Sequence, residues 1–397
     1  MNNIKARLQA VADKYTQSKL YAGIGWRVEK SGTVLAQGTS GTADEAGTSA
    51  LEDDAIYRIY SMTKPIVSVM ALILVQRGQL RLSDFVMQYI PAFAATQVLC
   101  AGGVEPQMRP VTVEDLLTHR SGISYDFVPG CPIAKRYMEA DLLNAAHYSL
   151  AEFADVIAGF PLAFQPGTQW RYSYSTDVLA RVVEVASGQS LDELLEQNIF
   201  TPLAMQDTGF YVPDDKQHRL LPLFGFETLD LSFEVPPPHD LVVLDAEARY
   251  PSRPGHGALR GGLGLYSTSA DYCKFATMLL SGKLADGESV IAPAMYKLML
   301  ANRIPDAQMP LELGPMTFPG YGFNLIGRVM KDLGQAMSLT AVGEFGWEGA
   351  AGTYFWVDPE NELVGVVMTQ FLGTYLPMRE EMRAAVYATL NDQGLPG

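Results

Sequence analysis

Cysteine is nearly absent from this sequence: Cys100, Cys131 and Cys273 are the only three in 397 residues, they lie far apart, and no C-x-x-C pair occurs. Three cysteines cannot all pair within one chain, so a disulfide framework is excluded and free thiols in a reducing compartment are expected. Basic residues are scarce as well. Lys and Arg total 29 against 44 Asp and Glu, a formal net charge of -15. Phosphate binding needs clustered cations that release counterions, so no nucleic-acid partner is expected, and the acidity serves solubility. Long apolar runs are missing too: the longest, Ile66 to Val75, is far short of a membrane span. The first residues, Met1 to Lys14, space charges between apolar positions as a helix does and contain no apolar export-signal core. A cytoplasmic protein without a membrane partner is the expectation.

Several motifs are also wanting. There is no Gly-x-Ser-x-Gly elbow to supply an α/β-hydrolase nucleophile. His119, His147, His218, His239 and His256 form no His-x-x-x-His or Glu-flanked pattern, so no metal site is expected. No Gly-x-Gly-x-x-Gly follows a strand in a βαβ setting, so no cofactor is expected.

What is present is an ordinary globular composition, 48% apolar, with no repeat and no low-complexity tract. The length suggests two or three structural units around a large core. A helix over 3–18 is followed by two strands, Tyr21 to Val28 and Thr33 to Gln37, flanking the turn Lys30-Ser31-Gly32. Ser61 to Gln76 reads as a buried helix with Pro65 in its first turn, where a missing N–H is harmless. Residues 85–210 are dominated by helical segments such as Val113–Leu117, Leu150–Ile157 and Val178–Val185. The stretch 213–260, with Pro236-Pro237-Pro238 and Pro251 to Gly257, reads as a lid or pocket wall, or as a passive surface excursion. Strands return at Tyr321–Val329, Ala350–Val357 and Glu362–Phe371, and Met378 to Leu390 closes the chain as a helix. Strands near both ends with helices between them predict an α/β (α+β) fold. Residues 1–84 and 262–397 would form a discontinuous domain, an antiparallel sheet flanked by helices, with an all-helical insertion at 85–261 and the active site in the cleft between.

Three segments can carry chemistry. In Ser61-Met62-Thr63-Lys64, three residues along a helix return to nearly the same face, so Lys64 can reach the Ser61 hydroxyl. A lysine can take a serine's proton only if burial disfavours its ammonium form, and the apolar helix behind it suggests such burial. Ser61's own N–H, near the helix N-terminus, could face an oxyanion. On the loop Trp170 to Ser175, Tyr172 could shuttle a proton with Lys64 as its cation; ordinary packing explains a lone tyrosine equally well. In Phe345 to Gly352, glycines would let an edge strand approach a substrate, with a backbone N–H beyond them completing an oxyanion hole; a Gly-rich hairpin corner is the plainer reading.

In this order, the three segments resemble the Ser-x-x-Lys, Tyr-x-Asn and Lys-Thr-Gly elements of the serine β-lactamase and penicillin-binding-protein superfamily. The resemblance spans most of the chain and is supported by Tyr57 to Ile66, Leu116 to Ile123, Asp177 to Leu179 with Ser187-Gly188, and Leu259 to Thr268. Tyr-x-Asn is here Tyr172-Ser173-Tyr174 and Lys-Thr-Gly is Trp347-Glu348-Gly349, which looks like the family VIII carboxylesterases related to class C β-lactamases. That resemblance implies a serine β-lactamase-like fold and a carboxylesterase for short-chain or modest-sized esters. Ser61 would be the nucleophile, Lys64 and Tyr172 would share the role of base, and the N–H groups of Ser61 and Ala350 would form the oxyanion hole. Tyr125, Trp347 and Gly349 would line the substrate pocket. The missing lysine removes a cation that holds a β-lactam carboxylate, and Trp347 with Glu348 offers an apolar wall and a negative charge, which suits an uncharged ester. β-Lactamase, D-amino-acid peptidase, amide hydrolase or acyltransferase chemistry on the same residues is the alternative, and a non-catalytic penicillin-recognising module is a remote one. A homo-oligomer is compatible with the sequence.

Overall fold

Alternation of buried side chains builds the sheet. In the strand Leu363–Thr369 every residue is buried, yet Leu363 and Val367 join one apolar cluster while Val364, Val366 and Met368 join another. Successive strand side chains point to opposite faces, so this strand is covered on both sides.

The computed structural model describes residues 2–144, 146–225, 241–247, 249–255, 259–313, 316–373 and 376–390. In chain order its main elements are α1 (Asn2–Gln17), β1 (Gly23–Lys30), β2 (Thr33–Gly41), α2 (Thr63–Gln76), α3 (Val113–Leu117), α4 (Leu150–Ala158), α5 (Ser175–Ser187), α6 (Ser269–Met278), β3 (Tyr321–Phe323), β4 (Arg328–Met330), β5 (Phe345–Glu348), β6 (Tyr354–Asp358), β7 (Leu363–Thr369) and α7 (Met378–Leu390). The sheet runs β3-β4-β5-β6-β7-β1-β2, antiparallel throughout. α1 and α7 cover one face, where Trp26 and Trp356 are buried. α6 packs on the other face, against β1 and β7.

α2 is buried from Thr63 to Leu74, which fits a helix apolar all round. One apolar cluster runs from α2 through α4 and α5 to Phe355 and Val364 of the sheet. The division we propose, residues 1–84 with 262–397 against 85–261, is therefore one of topology, with a shared core. α3 and α4 begin with capping boxes, Thr112 with Asp115 and Ser149 with Glu152.

Several segments differ from the sequence expectation. Tyr321 to Val329 is not one strand: Asn324 accepts the N–H groups of Ile326 and Gly327 at 2.8 and 2.9 Å and turns the chain between β3 and β4. β6 begins at Tyr354 rather than Ala350, because 349–353 form a turn closed by Gly349 N–H to Thr353 O at 2.7 Å. Phe345–Glu348 is an inner strand, although its pairing with β4 ends at Gly346. A small hairpin, Val98–Cys100 with Gly103–Glu105, stands in the region read as helical. Within 213–260, Leu223–Gly225 pairs with Phe371–Leu372 and with Val243–Leu244; Pro236 to Pro238, His239 and His256 lie outside the described residues. Cys131 and Cys273 are buried, Cys100 is exposed, and all three are free thiols. Among the described residues no helix is long and apolar enough to cross a membrane.

Gly365 makes room for the Trp356 indole, since a Cβ there would lie 2.0 Å from the ring. Gly365→Ala should displace the indole in a full core and cost roughly 1–3 kcal/mol. Urea unfolding checks this, and a wild-type midpoint with unchanged slope would contradict it.

Candidate active site

The chain enters α2 through a single 3₁₀ turn, Tyr60–Met62, so Ser61 stands on that turn rather than in the helix itself. The turn requires a left-handed backbone at Tyr60 (φ 45°), a conformation costly for a bulky residue and held here by burial. Lys64 follows one turn later on the same side, and its Nζ donates to Ser61 Oγ at 3.0 Å and to Gly262 O at 2.7 Å. The amine is buried. Loss of water pushes its pKa down to about 7, against the pull of the Asp177 carboxylate and with added repulsion from Arg260.

Asp177, in the first turn of α5, is fully buried and accepts from Arg260 Nε at 2.9 Å and from Gly262 N–H at 3.1 Å. The same Gly262 that Asp177 holds by its N–H presents its carbonyl to Lys64. Side chains are excluded there: a Cβ on Gly261 would meet Ala180 Cβ at 2.5 Å and one on Gly262 would meet Asp177 Oδ2 at 2.3 Å. Arg260 lies 3.8 Å over the Phe153 ring, so both ions are desolvated together.

Tyr172 arrives on the loop preceding α5. The loop is pinned to residues 119–124 by Arg171 N–H to His119 O at 2.9 Å and Tyr174 N–H to Ser124 O at 3.3 Å, and by a buried chain of contacts, His119 Nδ1 to Ser173 Oγ (3.0 Å), Ser173 to Ser175 (2.7 Å) and Ser175 to Ser121 (2.8 Å). The His119 ring packs 4.9 Å from that of Tyr172, and burial with the neighbouring Lys64 charge keeps the imidazole neutral. The phenol accepts from Trp347 Nε1 at 3.1 Å, and the neighbouring Ser61 side chain, like that of Trp347, favours its ionised form. Burial pushes its pKa well above the ordinary value despite those two influences, and Lys64 Nζ sits 4.6 Å from the ring centroid. Ser61, Lys64 and Tyr172 are thus brought together.

These groups open on a cavity of about 410 Å³ walled by Tyr60, Tyr125, Phe127, Tyr250 and Trp347, with Leu143, Leu263, Leu313 and Leu372. Ser61 and Ala350 both line it, and among the described residues neither backbone N–H has an acceptor. Tyr125 stacks on Phe127 at 4.7 Å and lies 5.2 Å from Tyr172. Gly349 is not on the cavity wall; a Cβ there would sit 2.4 Å from Ile59 O and 2.3 Å from Thr353 Oγ1, so its lack of a side chain lets the β5–β6 turn close onto the strand leading to Ser61. Glu348 does not offer a bare negative charge as expected, because Arg379 of α7 forms an ion pair with it. Charge in the cavity comes instead from Asp126, Asp141 and Arg249, and burial raises the Asp126 carboxyl. Among the described residues no group of three or more His, Cys, Asp or Glu side chains could hold a metal ion.

Asp177, Arg260 and Gly262 stand in segments that carry the family resemblance, but no local pattern in the sequence singles them out. His119, which belongs to no metal-ligand pattern in the sequence, packs beside Tyr172. Arg379 gave no local signal at all.

Residues 8–388 match the family described as Beta-lactamase. The chain is 30% identical over 402 residues to Esterase EstB of Burkholderia gladioli, covering 97% of this chain and 96% of that one. Two solved structures are similar in fold: "EstCE1, a hydrolase with promiscuous acyltransferase activity" (TM-score 0.80, 24% identity, 97% of this chain and 99% of that one) and a family VIII carboxylesterase (TM-score 0.69, 17% identity, 97% of each).

In the folded protein Lys64 releases its proton near pH 7, whereas the unfolded chain keeps it to the ordinary 10.5. Between these values the unfolded state binds more protons, so this lysine's contribution makes stability rise with pH across the window, and its cost is greatest below it. Lys64→Met should therefore be more stable than the wild type near pH 7 by a few kcal/mol, with the advantage shrinking as pH approaches 10.5. Urea unfolding of both proteins across the window is the check; a pH-independent difference would contradict a desolvated amine.

Proposed function

The chain belongs to the Beta-lactamase family and is a serine hydrolase of the family VIII esterase type; we propose that it cleaves short-chain or modest-sized carboxylic esters through an acyl-enzyme on Ser61. The observation that carries this reading is the pairing of Ser61 Oγ with an amine 3.0 Å away whose pKa is near 7 and with a phenol whose pKa is high. Two proton-transfer groups with pKa values pushed apart can divide the work. Lys64, with its pKa at about 7, is in part neutral at neutral pH, and the neutral amine accepts the Ser61 proton as Oγ bonds to the ester carbonyl carbon. The carbonyl oxygen, now negative, is met by the N–H groups of Ser61 and Ala350. As the tetrahedral intermediate collapses, the C–O bond to the alcohol breaks and Tyr172, still protonated, gives its proton to the departing oxygen. The Lys64 ammonium returns a proton to the phenolate. Water then attacks the acyl-enzyme by the reverse sequence and releases the acid.

The walls support an ester over a β-lactam or a D-alanyl peptide. At the position of the family's Lys-Thr-Gly lysine stands Trp347, which is spent on holding Tyr172. A substrate carboxylate would meet Asp126 and Asp141, with Arg249 the one cation among the described lining residues.

Ser61→Ala should abolish hydrolysis of a chromogenic short-chain ester. Tyr172→Phe, which loses the proton for the leaving alcohol but keeps the ring, should lower kcat by roughly 10²–10³, about 2.7–4 kcal/mol. Turnover retained in folded Ser61→Ala would exclude the nucleophile. In a panel of esters, cephalosporins and D-alanyl peptides, kcat/KM should be highest for esters, and preference for either of the others would overturn the substrate class.

A further inference from the structure

A second cavity, of about 490 Å³, lies between the start of α7 and the β3–β6 part of the sheet. Three guanidinium groups reach it, Arg328 from β4 and Arg379 and Arg383 from α7. Two of them meet carboxylates: Arg383 pairs with Glu344, and Arg379 with Glu348 and, at 3.8 Å, Glu380. Arg328 does not. It is only 5% exposed, no carboxylate among the described residues pairs with it, and its Nη1 is buried without a hydrogen-bond partner. Its guanidinium carbon lies 5.4 Å from the centre of the Tyr321 ring. An arginine cannot shed its proton, so this buried guanidinium keeps its charge with no ion-pair partner among the described residues. The effect reaches Arg379, whose pKa is lowered by burial and, against the pull of Glu380, by Arg328 and Arg383.

The planar donor fork of a guanidinium matches a carboxylate. The same cavity has an apolar part of its wall, made by Met316, Phe318, Pro319 and Leu376. We propose that this cavity binds an apolar monocarboxylate, its head group on Arg328 and its chain along Phe318 and Leu376. The site is separate from Ser61, yet Glu348 lines both cavities, so a ligand here would touch the same strand end that carries Trp347.

Hexanoate is the probe, with hexanol as its neutral counterpart, titrated calorimetrically into the full chain. Hexanoate should bind and hexanol should bind far more weakly. Arg328→Met should weaken hexanoate by about tenfold or more, the loss of a charge-assisted contact. Met337→Glu changes a residue on the cavity rim that is 85% exposed, so the fold is spared, and it should weaken hexanoate through repulsion. Leu143→Ala, in the catalytic cavity, should leave this binding unchanged. Absence of hexanoate binding, equal binding of hexanol, or weakening by Leu143→Ala with none by Met337→Glu would overturn the proposal.

Discussion

The proposed chemistry depends on keeping one amine out of water. Lys64 would carry a full charge if solvent reached it, and a charged lysine could not accept a proton from Ser61. Burial is the largest influence bringing its pKa to the neutral range, but a buried amine also needs something to hold it in place. Gly262 does so with a carbonyl, and Gly262 is in turn held by Asp177. A lone carboxylate so close would restore the lysine's charge. Arg260 offsets it, which explains why a buried ion pair, an expensive device in a protein interior, stands directly behind the amine.

The rest of the architecture delivers the partners of that amine from distant parts of the chain. Ser61 comes from the turn entering α2, the phenol from the loop before α5, and the second amide from the turn between β5 and β6. No short-range rule brings these three together; a single apolar cluster spanning helices and sheet does. Local devices then set the distances. Gly261, Gly262 and Gly349 permit backbone approaches that any Cβ would block, and the hydroxyl chain from His119 to Ser121 fixes the loop carrying Tyr172. Trp347 adds a donor to the phenol, so a residue that reads as a plain wall also orients a proton donor in the proposed mechanism.

Periodicity made part of this legible in advance. The spacing of Ser61 and Lys64 on one helical face, the helices at Val113–Leu117 and Met378–Leu390, and the antiparallel sheet all follow from patterns of three to four or of two residues. What remained hidden has no period. The turn at Asn324 depends on one side chain capping two amides, which splits what apolar content alone presents as one strand. Glu348 looks like a negative charge until Arg379, from the far end of the chain, is placed against it. Asp177 and Arg260 are buried charged residues, and their burial becomes intelligible only once the ion pair between them is in view.

In the proposed mechanism Ser61 is activated by a lysine whose pKa lies at about 7, so that a large fraction of it is neutral at neutral pH. The most direct measurement is the rate at which a fluorophosphonate labels the protein as a function of pH, with the adduct located by peptide mapping. Labelling is expected at Ser61, with a rate that rises through a midpoint at about pH 7 and then levels. A midpoint near the ordinary lysine value of 10.5, a rate indifferent to pH, or an adduct on another residue would contradict that mechanism.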